Sequence, residues 1–352
     1  MATSQSVMSN FMRSFARTLI LALTFAAVLT GSAFGGSLTE PSGYRCVDTT
    51  LDAQTLPSNG WFGGFDLLPN GNLAIHNGFA IVESTRAGQY VRTIYDYGQR
   101  VWGSFVRYNP YNGKLYFGDS SQNKIKSISL TGGPAADLAT LSGNFDLDFW
   151  HNQPMAVAGN NIYLINESTG QCTQIATAGV NSGPLVIDSL SGLIYGTGTS
   201  SWPPQQNTEN IYRWTDSQIQ SAIQSGTPLT VSEASVLVAN TDGPYGFAFN
   251  GNNELMLTDT VVSPGEIRLV RNGQVQTFST AQVPGQNPYP TVLRYDKQSG
   301  EILTVVSYMD EYWNTYSRLS TLVPVPEPSS VGALCTLFGL AGSLKLLRCR
   351  RK

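Results

Sequence analysis

The feature that most constrains this chain is a phrase that recurs along its middle: an apolar strand, a polar turn ending in glycine, then a second strand. It runs Phe65-Asp66-Leu67-Leu68-Pro69-Asn70-Gly71-Asn72-Leu73-Ala74-Ile75, and it returns from Phe105, Leu185, Phe247 and Leu293. A weaker copy starts at Leu147. Each phrase reads as a β-hairpin, because apolar residues alternate around a turn whose Asn, Asp and Gly tolerate the backbone conformations it needs. Starts at residues 65, 105, 147, 185, 247 and 293 give steps of 40, 42, 38, 62 and 46 residues. A repeat of about 40–45 residues is the length of one four-stranded blade of a β-propeller. Further strands such as Lys124–Leu130 and Asn161–Ile165 fill out the blades.

The fold class is therefore all-β, a six-bladed β-propeller, with a β-sandwich as the structural alternative. Composition agrees: 35 glycines, 18 prolines and 16 tyrosines favour turn-dense sheet over helical bundles. Tyr44–Leu51 is placed to pair with the last blade and close the ring, which leaves no open sheet edge. The 62-residue step has a visible cause in residues 197–235, which hold a Ser-Trp-Pro-Pro loop and a polar helical segment, Thr215–Gln224. That stretch reads as an insertion on one face of blade four. The passage Leu115-Tyr116-Phe117-Gly118-Asp119-Ser120-Ser121-Gln122-Asn123-Lys124-Ile125 resembles the repeats of YWTD and NHL-type propellers, and Leu255-Met256-Leu257-Thr258-Asp259 is a second partial match.

The two ends differ from the body. Arg13 and Arg17 precede an uncharged apolar run, Thr18–Thr30, and small residues follow through Gly35. That three-part order predicts a secretory signal over residues 1–35, cleaved after Ala33 or Gly35. At the other end, Val323-Pro324-Val325-Pro326-Glu327-Pro328 leads into an apolar run, Val331–Leu344, and a basic tip containing Arg348, Arg350, Arg351 and Lys352. The prolines make an extended linker. The apolar run can enter a membrane with its cationic end on the cytoplasmic side. This order closely resembles the PEP-CTERM sorting signal of Gram-negative bacteria, with Pro326-Glu327-Pro328 as its motif and Val325 as the usual preceding residue. The resemblance implies processing by a membrane exosortase, transient anchoring through the C-terminal helix, then the cell envelope or extracellular space. The family is associated with exopolysaccharide-producing, biofilm-forming cells. The expected domains are thus a signal at 1–35, the propeller at 36–323 and the sorting segment at 324–352.

Between residues 36 and 344 there are 14 Lys and Arg against 24 Asp and Glu, a balance of −10. An acidic body is a poor match for nucleic acid, whose binding depends on neutralising phosphates. Two of the four cysteines, Cys335 and Cys349, fall in the tail. Cys46 and Cys172 remain in the body, where they could form one disulfide or stay as separate thiols. Only His76 and His151 occur, and there is no G-x-S-x-G motif or metal-ligand spacing, so no catalytic constellation and no resident cofactor is expected.

The carboxylates are the one suggestive set: Asp66, Asp119, Asp146, Asp148, Asp188, Asp259 and Asp296 fall near strand ends or turns. Resemblance to gluconolactonase-like propellers would let such residues hold calcium, whereas turn aspartates more often cap local backbone groups. The aromatics include Trp61, Trp102, Tyr108, Tyr111, Trp150, Trp202, Tyr312 and Trp313. They serve mainly as blade core, with exposed ones able to stack on sugar rings. The expected function is a secreted, non-enzymatic binding or structural protein with a polysaccharide or protein ligand. A calcium-dependent propeller hydrolase or lactonase is the alternative.

Overall fold

The computed structural model describes residues 36–325 except 59, 104, 179–182, 189, 198–204, 261–262 and 310–314. The signal segment 1–35, the motif Pro326-Glu327-Pro328, the basic tip, and Trp202, Tyr312 and Trp313 lie outside the described residues.

The first strand, β1 (Tyr44–Thr49), belongs to the last blade. Blade one is β2 (Gly64–Leu67), β3 (Leu73–His76), β4 (Ala80–Ser84) and β5 (Tyr90–Asp96). Blade two is β6 (Val106–Asn109), β7 (Lys114–Asp119), β8 (Lys124–Ser129) and β9 (Ala136–Thr140). Blade three comprises β10 (Asn144–Trp150), β11 (Gln153–Ala158), β12 (Asn161–Ile165) and β13 (Cys172–Thr177). Blade four has β14 (Leu185–Asp188), β15 (Gly192–Gly196) and β16 (Glu209–Trp214). A helix, α1 (Asp216–Ser225), and a two-residue strand, β17 (Leu229–Thr230), come next, and β18 (Ser235–Thr241) completes blade four. Blade five is β19 (Pro244–Phe249), β20 (Leu255–Asp259), β21 (Glu266–Arg271) and β22 (Gln274–Thr280). Blade six is β23 (Tyr289–Tyr295), β24 (Ile302–Met309) and β25 (Thr315–Pro324), with β1 as its outermost strand.

The recurring phrase forms the two innermost strands of every blade, and the turns explain its wording. Gly71 and Gly113 sit at φ 83° and 70°, a region open to glycine and costly for most side chains. The weak copy at Leu147 uses no glycine. His151 and Asn152 adopt φ 45° and 68° in a two-residue turn between Trp150 and Gln153.

Six hydrophobic clusters hold the molecule together, one between each pair of neighbouring blades. One of them joins Phe65, Leu73 and Ile75 of blade one to Leu303, Val305 and Leu319 of blade six, so the ring is closed. A six-sheet ring excludes the sandwich. Closure is made by β1, which pairs antiparallel with β25 from Tyr44↔Pro324 to Thr49↔Leu319. The preceding residues extend the seal onto blade five. Leu38 is fully buried and bridges Ala281, and the Thr39 amide donates to the Thr280 carbonyl at 2.8 Å. Pro324, the first residue assigned to the sorting segment from sequence, is thus the last paired residue of the body.

The insertion behaves differently from expectation. Thr215 caps α1 in a reciprocal box with Gln218, and Gly226 ends it in the left-handed conformation. The buried Ile219 and Ala222 pack with Trp150, Ile162 and Ile175 of blade three as well as Trp214 of blade four. β17 then adds a parallel strand to the outer edge of blade three through Ala176↔Leu229. The segment is a brace between two blades rather than a decoration on one. Cys46 and Cys172 are free thiols in different interblade clusters, so the separated arrangement is the one the fold contains. Burial pushes the Cys46 thiol up to about 12, which leaves it protonated and inert at neutral pH.

Leu322 pairs with both Cys46 of β1 and Ile302 of β24 and is fully buried. Leu322→Ala is expected to lower unfolding free energy by about 2–5 kcal/mol, read as a shift in urea midpoint at unchanged slope. A change within a few tenths of a kcal/mol would show that the seam carries little of the stability.

Candidate ligand-binding funnel

The innermost strands β2, β6, β10, β14, β19 and β23 surround the ring axis. The second residue of each inner apolar triplet occupies an equivalent register, pairing outward with β3, β7, β11, β15, β20 or β24. Those six residues are Asp66, Arg107, Asp148, Val186, Ala248 and Arg294, and all six line one cavity of about 900 Å³ at the mouth where the inner strands end. Four of the six are charged.

These charges form a hub across blades. Arg107 donates to Asp146 from Nε at 3.2 Å and from Nη2 at 2.9 and 3.0 Å. Arg294 Nε donates to Asp66 at 3.0 Å. The second oxygen of Asp66 accepts the Tyr108 amide at 2.8 Å, that of Asp146 the Leu185 amide at 3.0 Å, and that of Asp148 the Ile187 amide at 2.7 Å. Each carboxylate therefore clips its own blade to the next. Charge-assisted bonds of this kind are stronger than neutral ones and fix geometry as well.

Burial and neighbouring charge tune the hub. Burial works against the charged form of Arg107, but Asp146, Asp148 and Asp66 outweigh it and raise its pKa. Arg294 is pushed down to about 10 by burial and by the like charge of Arg107, and stays cationic at neutral pH. Burial raises Asp148, only partly opposed by Arg107 and by the amides of Ile187 and Phe149. The hydrogen bonds of Arg107 run from Nε and Nη2, to Asp146 and to the Leu185 carbonyl.

Aromatic and apolar side chains make the wall and rim. Tyr111 is 71% exposed and Leu190 83%, and Phe149, Trp150, Tyr108 and Tyr295 stand below them. Trp150 Nε1 donates to Asp216 at the start of α1 at 2.7 Å, and His151 Nε2 lies 3.0 Å from the same oxygen. The helix brace thus positions one wall of the funnel.

Of the seven carboxylates singled out from sequence, Asp66, Asp146 and Asp148 meet at the axis. Asp188 reaches the funnel wall but accepts the Leu190 amide at 2.9 Å and the Ser191 hydroxyl, a turn cap. Asp296 caps its own turn and pairs with Arg86, Asp119 binds Ser121 at 2.6 Å, and Asp259 lies 3.2 Å from Arg268. Among the described residues no group of three or more His, Cys, Asp or Glu side chains has the arrangement to hold a metal ion. The two arginines were missed. Their signal was in the repeat itself, as a charge flanked by apolar residues at the same position of phrases whose other copies carry Asp66 and Asp148.

His76 is fully buried near the opposite mouth, with Nδ1 accepting the Gly78 amide at 3.1 Å and Nε2 unpartnered. His151 is exposed and stands beside the Asp216 carboxylate. Trp214 is fully buried, while Trp102 is 58% exposed beside Trp61 and under the Arg100 guanidinium.

The fold and funnel define a closed six-bladed β-propeller with a polar hub. No protein-family model and no curated protein matches the chain. Among solved structures it is similar to a catalytically inactive virginiamycin B lyase from Staphylococcus aureus with quinupristin, at 12% identity and a TM-score of 0.53, covering 80% of this chain and 100% of that one. It is likewise similar to the PQQ domain of pyranose dehydrogenase from Coprinopsis cinerea, at 10% identity and a TM-score of 0.54, covering 81% and 97%. At such identities the likeness is one of fold.

Burial lowers the His76 pKa from 6.5 to about 4, so the unfolded chain binds a proton between these values while the folded chain does not. The stability contributed by neutral His76 is therefore fully present above pH 6.5 and falls by up to about 3 kcal/mol as pH drops towards 4. Urea titrations across that window should show the loss in the natural chain and a flatter profile in His76→Gln. Equal slopes in both would contradict the assignment.

Proposed function

We propose that this chain is an exported, non-enzymatic binding propeller that engages a polysaccharide through the funnel and is sorted by an exosortase. The observation that carries the binding part is the funnel itself. Fixed acceptors and donors stand at its floor and exposed Tyr111 at its rim, a combination suited to hydroxyl-rich chains with apolar ring faces. The hub favours binding over hydrolysis. A calcium-dependent lactonase would need carboxylates free to hold the ion, and Asp66 and Asp146 are committed to Arg294 and Arg107.

Export and sorting rest on the sequence of the two ends: the three-part leader over 1–35, and Val325, Pro326, Glu327 and Pro328 followed by an apolar run and a basic tip. Among the described residues no helix is long and apolar enough to cross a membrane. The anchor in this reading is the apolar run Val331–Leu344.

Tyr111→Ala is expected to weaken binding of matrix polysaccharide by about twofold to tenfold, as an aromatic ring contact is worth roughly 0.5–1.5 kcal/mol, without moving the melting temperature. Affinity electrophoresis reads this, and unchanged retardation would count against the funnel. For sorting, the exported chain should lack the leader and everything beyond the Pro326-Glu327-Pro328 region by intact mass. An exosortase-deficient strain should retain the tail. A retained tail in both strains would mean a plain anchor.

A further inference from the structure

The funnel and the C-terminal exit lie on the same face of the propeller. β23 ends at the funnel mouth, and its hairpin to β24 carries Lys297, which lines the cavity. β25 returns to that end: Leu322 pairs with Ile302, and Pro324 pairs with Tyr44. A Cβ placed on Gly300 of the same hairpin would stand 3.2 Å from the Pro324 ring. The Val325 amide then donates to the Gly43 carbonyl at 2.8 Å, so the chain is held at this face up to its last described residue.

Only residues 326–330 separate that point from the apolar run beginning at Val331. Fully extended, such a leash spans about 20 Å at most. The eight-residue β24 alone is about 26 Å long, so the leash cannot reach past the blade to present the opposite mouth to the membrane. A second observation points the same way. Tyr111 and Leu190 are the two most exposed large hydrophobic side chains among the described residues, and both stand on the funnel rim. An aromatic and an aliphatic tip on a tethered face suit the interfacial layer of a bilayer.

We propose that, while the tail is uncut, the funnel face rests on the membrane surface, and that removal of the tail unmasks the funnel. The inference rests on the sorting reading above and adds a regulation to it: processing controls access to the site. With the rim seated in the interfacial layer, the funnel mouth is covered before cleavage. After it, the whole face is open. The partner of the rim in the tethered state is the lipid interface, met by the exposed tips of Tyr111 and Leu190.

The test uses the full chain in phosphatidylcholine vesicles, with Cys172, Cys335 and Cys349 replaced by serine and the buried Cys46 left in place. Single cysteines are introduced by Tyr111→Cys on the rim and Asn160→Cys in the exposed turn at the opposite face, and each is reacted with a bulky polyethylene-glycol maleimide. Vesicle flotation is measured on the same samples. In floating protein, the Tyr111→Cys site is expected to react about tenfold more slowly than the Asn160→Cys site, as expected when approach is restricted to one side. Inserting about 20 glycine and serine residues after Ser330 should bring the two rates together. Equal rates with the natural leash, or protection that survives the longer one, would overturn the proposal while leaving the anchor intact. Failure to float would overturn the sorting reading and this inference with it.

Discussion

Ring closure by β1 is the constraint on which everything else depends. Each of the six apolar clusters lies between two blades, and none is internal to a single blade. A four-stranded sheet cannot bury both its faces alone, so a blade is stable only with a neighbour on each side. Blade six would end on a bare β25 if Tyr44–Thr49 did not pair with it, and that open edge would be a template for aggregation. Leu38 and Ser37 extend the seal, since the Gln282 amide donates to the Ser37 carbonyl at 2.7 Å. The chain's two ends of the body are therefore joined in one sheet.

Closure also creates the site. Six equivalent strand positions converge only when the ring is complete, and four of them bring charge to a place with little water. Buried ion pairs contribute modest net stability, because desolvation offsets most of the attraction. Their effect here is geometric. Arg294 reaches from blade six to Asp66 of blade one, and Arg107 from blade two to Asp146 of blade three, so the hub fixes the angles between blades. The same bonds hold donors and acceptors at the funnel floor in one arrangement. A ligand meeting a floor already ordered loses less affinity to reorganisation.

Much of the fold was legible because propellers write their period into sequence. The phrase starting at Phe65 repeats with its turn, and the starts of the six phrases mark the six inner hairpins. The pairing of Tyr44 onward with the last blade was legible too, since a lone strand precedes the first phrase. The site was less so. Asp188 and Asp296 are turn caps and Asp66 and Asp148 are inward strand residues, yet all four look alike in a list of aspartates near turns. The distinction lies in strand register, which a single sequence leaves undetermined until pairing is known. The brace between blades three and four was hidden for a similar reason: Ile219 and Ala222 mark an apolar helix face but do not say which blade it meets.

The central claim is that the funnel, floored by Arg107 and Arg294 and rimmed by Tyr111, is where this propeller holds its ligand. The most direct measurement is a crystal structure of the exported protein soaked with oligosaccharides released from the producing cells' matrix. The account predicts sugar density in the funnel, with a ring against Tyr111 and a hydroxyl within hydrogen-bond distance of the Arg107 guanidinium. Density at the opposite mouth, near Trp61 and Trp102, with an empty funnel would contradict it.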